Sequence, residues 1–532
     1  MDRRNRIIIA ISAITILICL LAAYALNDGG EEGSRFDSFP KPVTDDMREP
    51  MDADEAEYLL SSTIDRFLEV AGTETTRAEL EDVIYGLDEV TRQLAVDFLF
   101  VDWNHSRDPH ADPDGYTKWV VLESMMDSRV NDACRTALSG PNADEITDIL
   151  GEEFCRELLA DEPVSDEEYA LMMRESELLV AYSVCDPYDA YALSEIYLDM
   201  VDVRNELAVL RGFDSYADYM YSEEFNRDYT PEDVSELALK ISGSGMSELV
   251  DRMYDKYDKT EVDYTYTDQD QLFDDLEPFI DGICTEFAEL YDHMRQYDLI
   301  DFEDLDTKMD VGYTSFEDGV VYIFNSPYMD HYDLSALVHE FGHAANFSMI
   351  SEPTDDLDIR EIQSTGLEML FILDSEYLLG DSTDDYAVSI LTDIALVMMD
   401  GFVLDEFQQR VYSSEPDSPE DLDAIYKSVI EELNYDPGFD WYLVSHTFQN
   451  PFYYISYTMS AFNSLCIFTE ALQDYDSAVD TYLDIVAYNS EGYTNMTETL
   501  GLPSIFDEGD VSELIEDMLD WIDLQGSDIA SV

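Results

Sequence analysis

Basic residues are scarce in this chain. Its 27 Lys+Arg stand against 121 Asp+Glu, and the formal net charge is −94. That balance excludes a nucleic-acid backbone as a natural partner, because phosphate binding needs basic patches. It disfavours an anionic membrane surface for the same reason. The field attracts cations instead, so neutral or basic peptides are the ligands to expect. The acid is spread along the whole chain and reads first as a solvated surface, suited to salt that screens its self-repulsion.

Cysteine is sparse too. Of six, Cys19 lies in an apolar N-terminal run, and Cys134, Cys155, Cys185, Cys284 and Cys466 show no C-x-x-C spacing. A cysteine zinc site is therefore not expected. The five read as small buried hydrophobes, with Cys134 and Cys155 the nearest pair for a disulfide. Strand signals are few. No internal repeat and no low-complexity tract stands out beyond the acid bias.

What is present is a folded chain. Hydrophobic residues make up 46% of its 532 positions, enough for a large core or two lobes. The uncharged run Ile7–Leu26 matches the ~20 residues a bilayer core requires. Arg3, Arg4 and Arg6 precede it and acids follow, so the N-terminus is expected in the cytoplasm and the rest outside. The alternative is a cleaved signal peptide and a secreted protein. Residues 27–50 read as a linker rich in Gly, Pro, Asp and Glu. Beyond them the pattern is helical almost without interruption. Thr230-Pro231-Glu232-Asp233 and Ser418-Pro419-Glu420-Asp421 are helix starts, with an N-cap, Pro at the first position and an acid at the third. A boundary near 242–245 divides a helical lobe at 51–242 from a second at 243–532. The clearest strand is Gly319–Asn325, rich in β-branched and aromatic residues.

The segment Asp333–Ile350 reads as a helix with Asp333 as N-cap, and it holds His339-Glu340-Phe341-Gly342-His343. Two histidines four apart share a helix face, so both rings can reach one metal ion, and Glu340 can serve a water there. With only seven His in the chain, an H-E-x-x-H box by chance is on the order of one in a hundred. The metzincin extension is absent: Asn346 and Met349 stand where its Gly and last His would be. The third ligand is then expected to be a carboxylate on the next helix, Asp358–Leu379. Glu361 and Glu368, two turns apart on one face, are the candidates. Glu361 is assigned as ligand and Glu368 as the group orienting a ligand histidine, and the reverse assignment stays open. Gly342 and Gly366 are expected to let the two helices approach closely. Further on, Asn450-Pro451 reads as the start of a helix that carries Tyr453 and Tyr457 on one face, with His446 just before it. These side chains can donate to an oxyanion.

Together these residues resemble the oligoendopeptidase F branch of the thimet-oligopeptidase family of zinc metallopeptidases. The resemblance rests on Arg204-Asn205-Glu206-Leu207 with Arg211–Tyr219, on Tyr322–Asn325 followed by Leu337–Ala344, on the E-x-x-S-T-x-x-E pattern from Glu361 to Glu368, and on His446 with Pro451-Phe452-Tyr453 and Tyr457. It implies a mainly α, two-lobed, gluzincin-type body with a deep substrate channel and a small β edge near the zinc helix. It implies one Zn2+ held by His339, His343 and Glu361, and Glu340 as general base and then proton donor. His446, Tyr453 and Tyr457 would bind substrate or oxyanion, and the strand at 320–325 would pair with the substrate backbone. The expected activity is hydrolysis of short unstructured oligopeptides. A peptidyl-dipeptidase or carboxypeptidase of the same zinc architecture is the alternative. A non-catalytic peptide or metal binder is the third reading, and its mark would be loss of Glu340.

Overall fold

The computed structural model of the chain describes residues 35–160, 165–183, 185–257, 259–351, 353–414, 416–490 and 492–525. The apolar run Ile7–Leu26 and the first part of the expected linker, 27–34, lie outside these residues. The described chain is helical along its length, with one three-stranded sheet. This is the mainly α architecture with a small β edge that the sequence suggests.

Local chemistry sets several helix starts. Thr230 accepts a hydrogen bond from the Asp233 N–H, and the Asp233 carboxylate accepts from the Thr230 N–H, forming a capping box that opens Pro231–Ser242. Ser418 accepts from the Asp421 N–H and opens Pro419–Leu433. Each such cap is worth about 1 kcal/mol. At the expected boundary 242–245, the helix ends at Ser242 and 243–245 form a short turn before the next helix, Met246–Tyr257, with apolar packing continuing from Ile241 to Met246.

The centre of the molecule is a layer of helices around Leu357–Asp374. Helix Tyr332–Met349 packs on one side of it. Helices Ile455–Gln473 and Tyr475–Val486 pack on the other, with the long helix Thr383–Ser414 behind. From Asp358 to Ile372 only Arg360 is not buried. Each polar member of that run therefore needs a partner, because an unpaired buried polar group costs free energy. The first contact is backbone to backbone. A Cβ on Gly342 would lie 2.5 Å from the Gln363 carbonyl oxygen and 2.7 Å from Ser364 Cα. Gly366, expected to face the same way, instead meets Ile467 and Tyr482 on the helices behind.

Two local expectations change here. Asp333 is not the N-cap of its helix but lies within the first turn. Its carboxylate accepts from the Tyr328 and Met329 N–H groups and the Tyr266 hydroxyl, so it fastens the preceding loop. The expected strand is present as β3 (Val320–Asn325), but two further strands, β1 (Ile300–Asp301) and β2 (Gly312–Glu317), pair with it in the order β1-β3-β2. β2 covers one edge of β3 along its length, and β1 covers Ile323 and Phe324 on the other. All six β3 residues are buried, so β3 offers no exposed edge to a substrate backbone. β2, half-buried throughout, is the longer of the two outer strands.

Residues 35–48, expected as the end of a linker, are docked on the body. Arg35 pairs with Asp480 and Asp484, Phe36 is buried against Phe287, and the Asp37 and Ser38 N–H groups donate to the Met349 carbonyl. Apolar contact and backbone hydrogen bonds outweigh the entropy that would keep the segment free. Two smaller apolar clusters draw only on residues 53–158, and one holds Cys134 and Cys155. The described cysteines are all free thiols, so no Cys134–Cys155 disulfide forms. One described helical stretch, Glu376–Ser414, is long and apolar enough to cross a membrane. Its apolar window is 78% buried inside the protein, which makes it a core helix.

Gly342→Ala is expected to lower unfolding free energy by roughly 1–3 kcal/mol through overpacking, measured by denaturant titration. Gly86→Ala is the control. Its Cβ meets nothing within 4 Å in the helix Arg77–Arg107, so a gain of about 0.5–1 kcal/mol is expected.

Candidate metal centre

One helix turn separates His339 from His343, and their ring centroids are 5.0 Å apart. The adjacent buried helix brings Glu361 between them. Its Oε2 lies 3.7 Å from His339 Nε2 and 3.9 Å from His343 Nε2. Ligand atoms of these three residues all fall within 4.8 Å of one another. Atoms each about 2.0–2.2 Å from one tetrahedral ion sit about 3.4 Å apart, so the set fits a metal with little movement. A second observation supports the fit. Glu361 Oε1 accepts the Tyr453 hydroxyl at 3.0 Å, but Oε2 is buried with no hydrogen-bond partner. A buried carboxylate oxygen left unpaired and aimed at two imidazole nitrogens is satisfied by a cation.

Glu368 stands behind the histidine. Its Oε1 is 2.8 Å from His339 Nδ1, and its Oε2 accepts the Ser335 hydroxyl. This orients His339 with Nε2 toward the centre, with Glu361 beside both Nε2 atoms and Glu368 behind the ring, the arrangement expected of a ligand and a group that orients it. Burial alone would push His339 down, but the hydrogen bond and charge of Glu368, with the charges of Glu340 and Glu361, lift it to about 9. Burial, His339 and Arg360 hold His343 well below its ordinary value. Burial also raises Glu361, against the pull of His339 and the Tyr453 hydroxyl. The carboxylates are dry and crowded, and their field calls for positive charge between them.

Glu340, on the same helix, turns toward β2. Its Oε2 lies 2.7 Å from the Thr314 hydroxyl oxygen, which is also 2.8 Å from the Glu340 carbonyl. Burial pushes the Glu340 carboxyl up to about 6, offset in part by His339 and Thr314.

His446, Tyr453 and Tyr457 gather beside Glu361. His446 belongs to a short helix, Ser445–Gln449, and its ring centroid is 5.0 Å from Tyr453 and 5.9 Å from Tyr457. Both of its ring nitrogens lack a hydrogen-bond partner, and burial pushes its pKa to about 4, so it is a neutral group available to a ligand. The expected helix start at Asn450-Pro451 is a turn instead. Phe452 takes a left-handed backbone, φ 66°, and the helix begins at Ile455. Tyr453 therefore stands in the turn and only Tyr457 on the helix. Two buried arginines hold this turn. Arg227 donates to the Phe452 carbonyl at 2.9 Å and to the Ser456 hydroxyl at 2.8 Å, and its Nε is 3.7 Å from Asp358 on the Glu361 helix. Arg204 donates to the Phe448 carbonyl at 2.6 Å and pairs with Glu175. Gln408 accepts the Phe452 N–H at 2.6 Å.

Thr314, Ser335 and Arg227 are the parts of the site that sequence reasoning did not single out. For Arg227 a signal existed: in a chain so poor in cations, an arginine flanked by Phe225 and Tyr229 is a candidate for burial. For two hydroxyl residues no local pattern marks the role.

No protein-family model and no curated protein sequence matches the chain. Solved structures do. It is similar to a protein provisionally assigned as oligoendopeptidase F, at 20% identity and TM-score 0.67 over 90% of this chain and 97% of that one. A protein with the same provisional assignment from Bacillus anthracis aligns at 19% identity and TM-score 0.67 over 91% and 99%. PZ peptidase A, solved with an inhibitor, aligns at 18% and TM-score 0.66 over 89% and 98%. The likeness covers nearly the whole of each chain, and the chain has the fold of the oligoendopeptidase F structures.

Glu368→Gln should weaken divalent-metal affinity about 10–100-fold in chelator competition, with the fold retained by circular dichroism. His339→Ala should lose metal at the same chelator concentration.

Proposed function

We propose that this chain, built on the oligoendopeptidase F fold, is a zinc-dependent metalloendopeptidase that hydrolyses short unstructured oligopeptides. The observation that carries the reading is the convergence of His339 Nε2, His343 Nε2 and the unpaired Glu361 Oε2, with the Glu340 carboxylate on the same helix. Two imidazoles and one carboxylate are a donor set suited to zinc with a position left open for chemistry. When bound, zinc supplies Lewis acidity toward water and a carbonyl oxygen.

The residues of the chain do the rest. Glu340 takes the proton of the attacking water and hands it to the leaving amine nitrogen. His446, with two unpartnered ring nitrogens, and the Tyr457 hydroxyl donate to the oxygen that gains charge as water adds to the peptide carbonyl. The Tyr453 hydroxyl holds Glu361 in place. β2 is the strand placed to receive an extended peptide by edge pairing. The acidic surface favours neutral or basic peptides. Ile7–Leu26 would anchor the protein in the cell membrane with its catalytic part outside, or be cleaved to release it.

The test is Glu340→Gln in the full-length chain. It should keep zinc by elemental analysis and lose kcat by about 10²–10⁴-fold on a quenched fluorescent peptide. Peptides amidated at the C-terminus should still be cut internally by the wild type. If they are not, the endopeptidase assignment fails in favour of a carboxypeptidase. Raising salt from low to physiological ionic strength should reduce kcat/KM for a lysine-rich peptide more than for an uncharged one of equal length.

A further inference from the structure

We infer that Thr314 is a positioning residue: its hydroxyl, presented by the edge strand β2, holds the Glu340 carboxylate in the orientation that proton transfer requires. The inference rests on the metallopeptidase reading of this site and adds to it a residue outside the H-E-x-x-H box.

Side chains alternate along β2, and each face is fixed separately. On one face, the Tyr313 hydroxyl is hydrogen-bonded to Ser106 at 2.8 Å and Asp102 at 3.1 Å, both on the helix Arg77–Arg107, and Tyr322 donates to it from β3. On the other, Phe316 stacks on Phe347, 5.9 Å between centroids, and Phe347 in turn lies 6.3 Å from the His343 ring. β2 is thus pinned at 313 and 316 by contacts that do not involve Glu340. Thr314 sits between those pins, with its hydroxyl 2.7 Å from Glu340 Oε2. The strand places the hydroxyl, and the hydroxyl places the carboxylate.

A carboxylate on a helix has several rotamers within reach, and a misplacement of about 1 Å can cost 10²-fold in rate. A hydroxyl has one proton, and both neighbours of the Thr314 oxygen, the Glu340 carbonyl and Oε2, can accept it. Donation to the ionised carboxylate is the stronger of the two bonds. Oε2 is thereby committed to the protein, and proton handling falls to Oε1. Thr314 also joins this outer strand of the sheet, beside which a peptide would lie, to the group that acts on it.

Thr314→Val keeps the shape and removes the hydroxyl, and Thr314→Ser keeps the hydroxyl. In the full-length, zinc-loaded chain, Thr314→Val is expected to lower kcat about 10–100-fold with KM and zinc content unchanged. Thr314→Ser should stay within about threefold of wild type, and Glu340→Gln/Thr314→Val should be no slower than Glu340→Gln alone. Crystals of zinc-loaded Thr314→Val should show the Glu340 carboxylate displaced from its wild-type position. The inference is overturned if Thr314→Val keeps wild-type kcat, if Thr314→Ser loses as much as Thr314→Val, if zinc content falls with activity, or if Glu340 does not move. A wild type inactive on all peptides would sink the peptidase reading instead, and the crystallographic position of Glu340 would still decide the role of Thr314.

Discussion

Three buried carboxylates, Glu340, Glu361 and Glu368, share the space around two histidines, and the rest of the site is arranged to make that tolerable. Two like charges about 4 Å apart at an effective dielectric of ~20 repel by roughly 4 kcal/mol, while a net hydrogen bond returns about 1 kcal/mol. Hydrogen bonds alone cannot balance the cluster. Each carboxylate nevertheless has one hydroxyl donor, and each donor comes from a different element: Thr314 from β2, Ser335 from the first turn of the histidine helix, Tyr453 from the turn before Ile455. Of the two oxygens left without a partner, Glu340 Oε1 is left for proton handling, and the buried Glu361 Oε2 points between the imidazoles. The imbalance is concentrated at one spot, and that spot has the shape of a metal site.

The scarce cations are placed accordingly. Among the described residues, neither of the two deeply buried arginines lies at a ligand position. Arg204 and Arg227 instead hold main-chain carbonyls at Phe448, just before the turn that carries Tyr453, and at Phe452 within it. An arginine head group between Glu361 and the imidazoles would compete with any cation bound there. Bound to the backbone a few residues away, it stiffens the tyrosine wall and leaves the charge at the centre unfilled. Arg227 also touches Asp358, so the wall and the ligand helix are braced together.

How much of this was legible follows from the range of the forces involved. The histidine helix was readable because its apolar spacing is periodic, and it came within one residue of the observed Tyr332–Met349. The Glu361 helix was readable for the same reason. The turn at 450–454 was not. Asn-Pro is a sound local helix start, but the left-handed Phe452 is held by Gln408 and Arg227, which are remote in sequence. β2 was missed because Gly312–Glu317 lacks a clean alternation and is half-buried throughout, and Thr314 was missed with it. Asp333 has the right residue type for a cap, but the Tyr328 and Met329 N–H groups and the distant Tyr266 hydroxyl draw its carboxylate to a different task.

The docking of Arg35 and Phe36 limits how far the body could stand from a bilayer. Should Ile7–Leu26 span a bilayer, residues 27–34 are the whole of the leash. Fully extended they reach about 28 Å. The face bearing Phe36, Met349 and Asp480 would then stay within that distance of the lipid, beyond a Debye length of ~8 Å only when the leash is drawn out. A body of such negative charge would strain away from anionic headgroups, and in that case a short leash under repulsion would act as a standoff, with one face toward the membrane and the opposite face toward the medium.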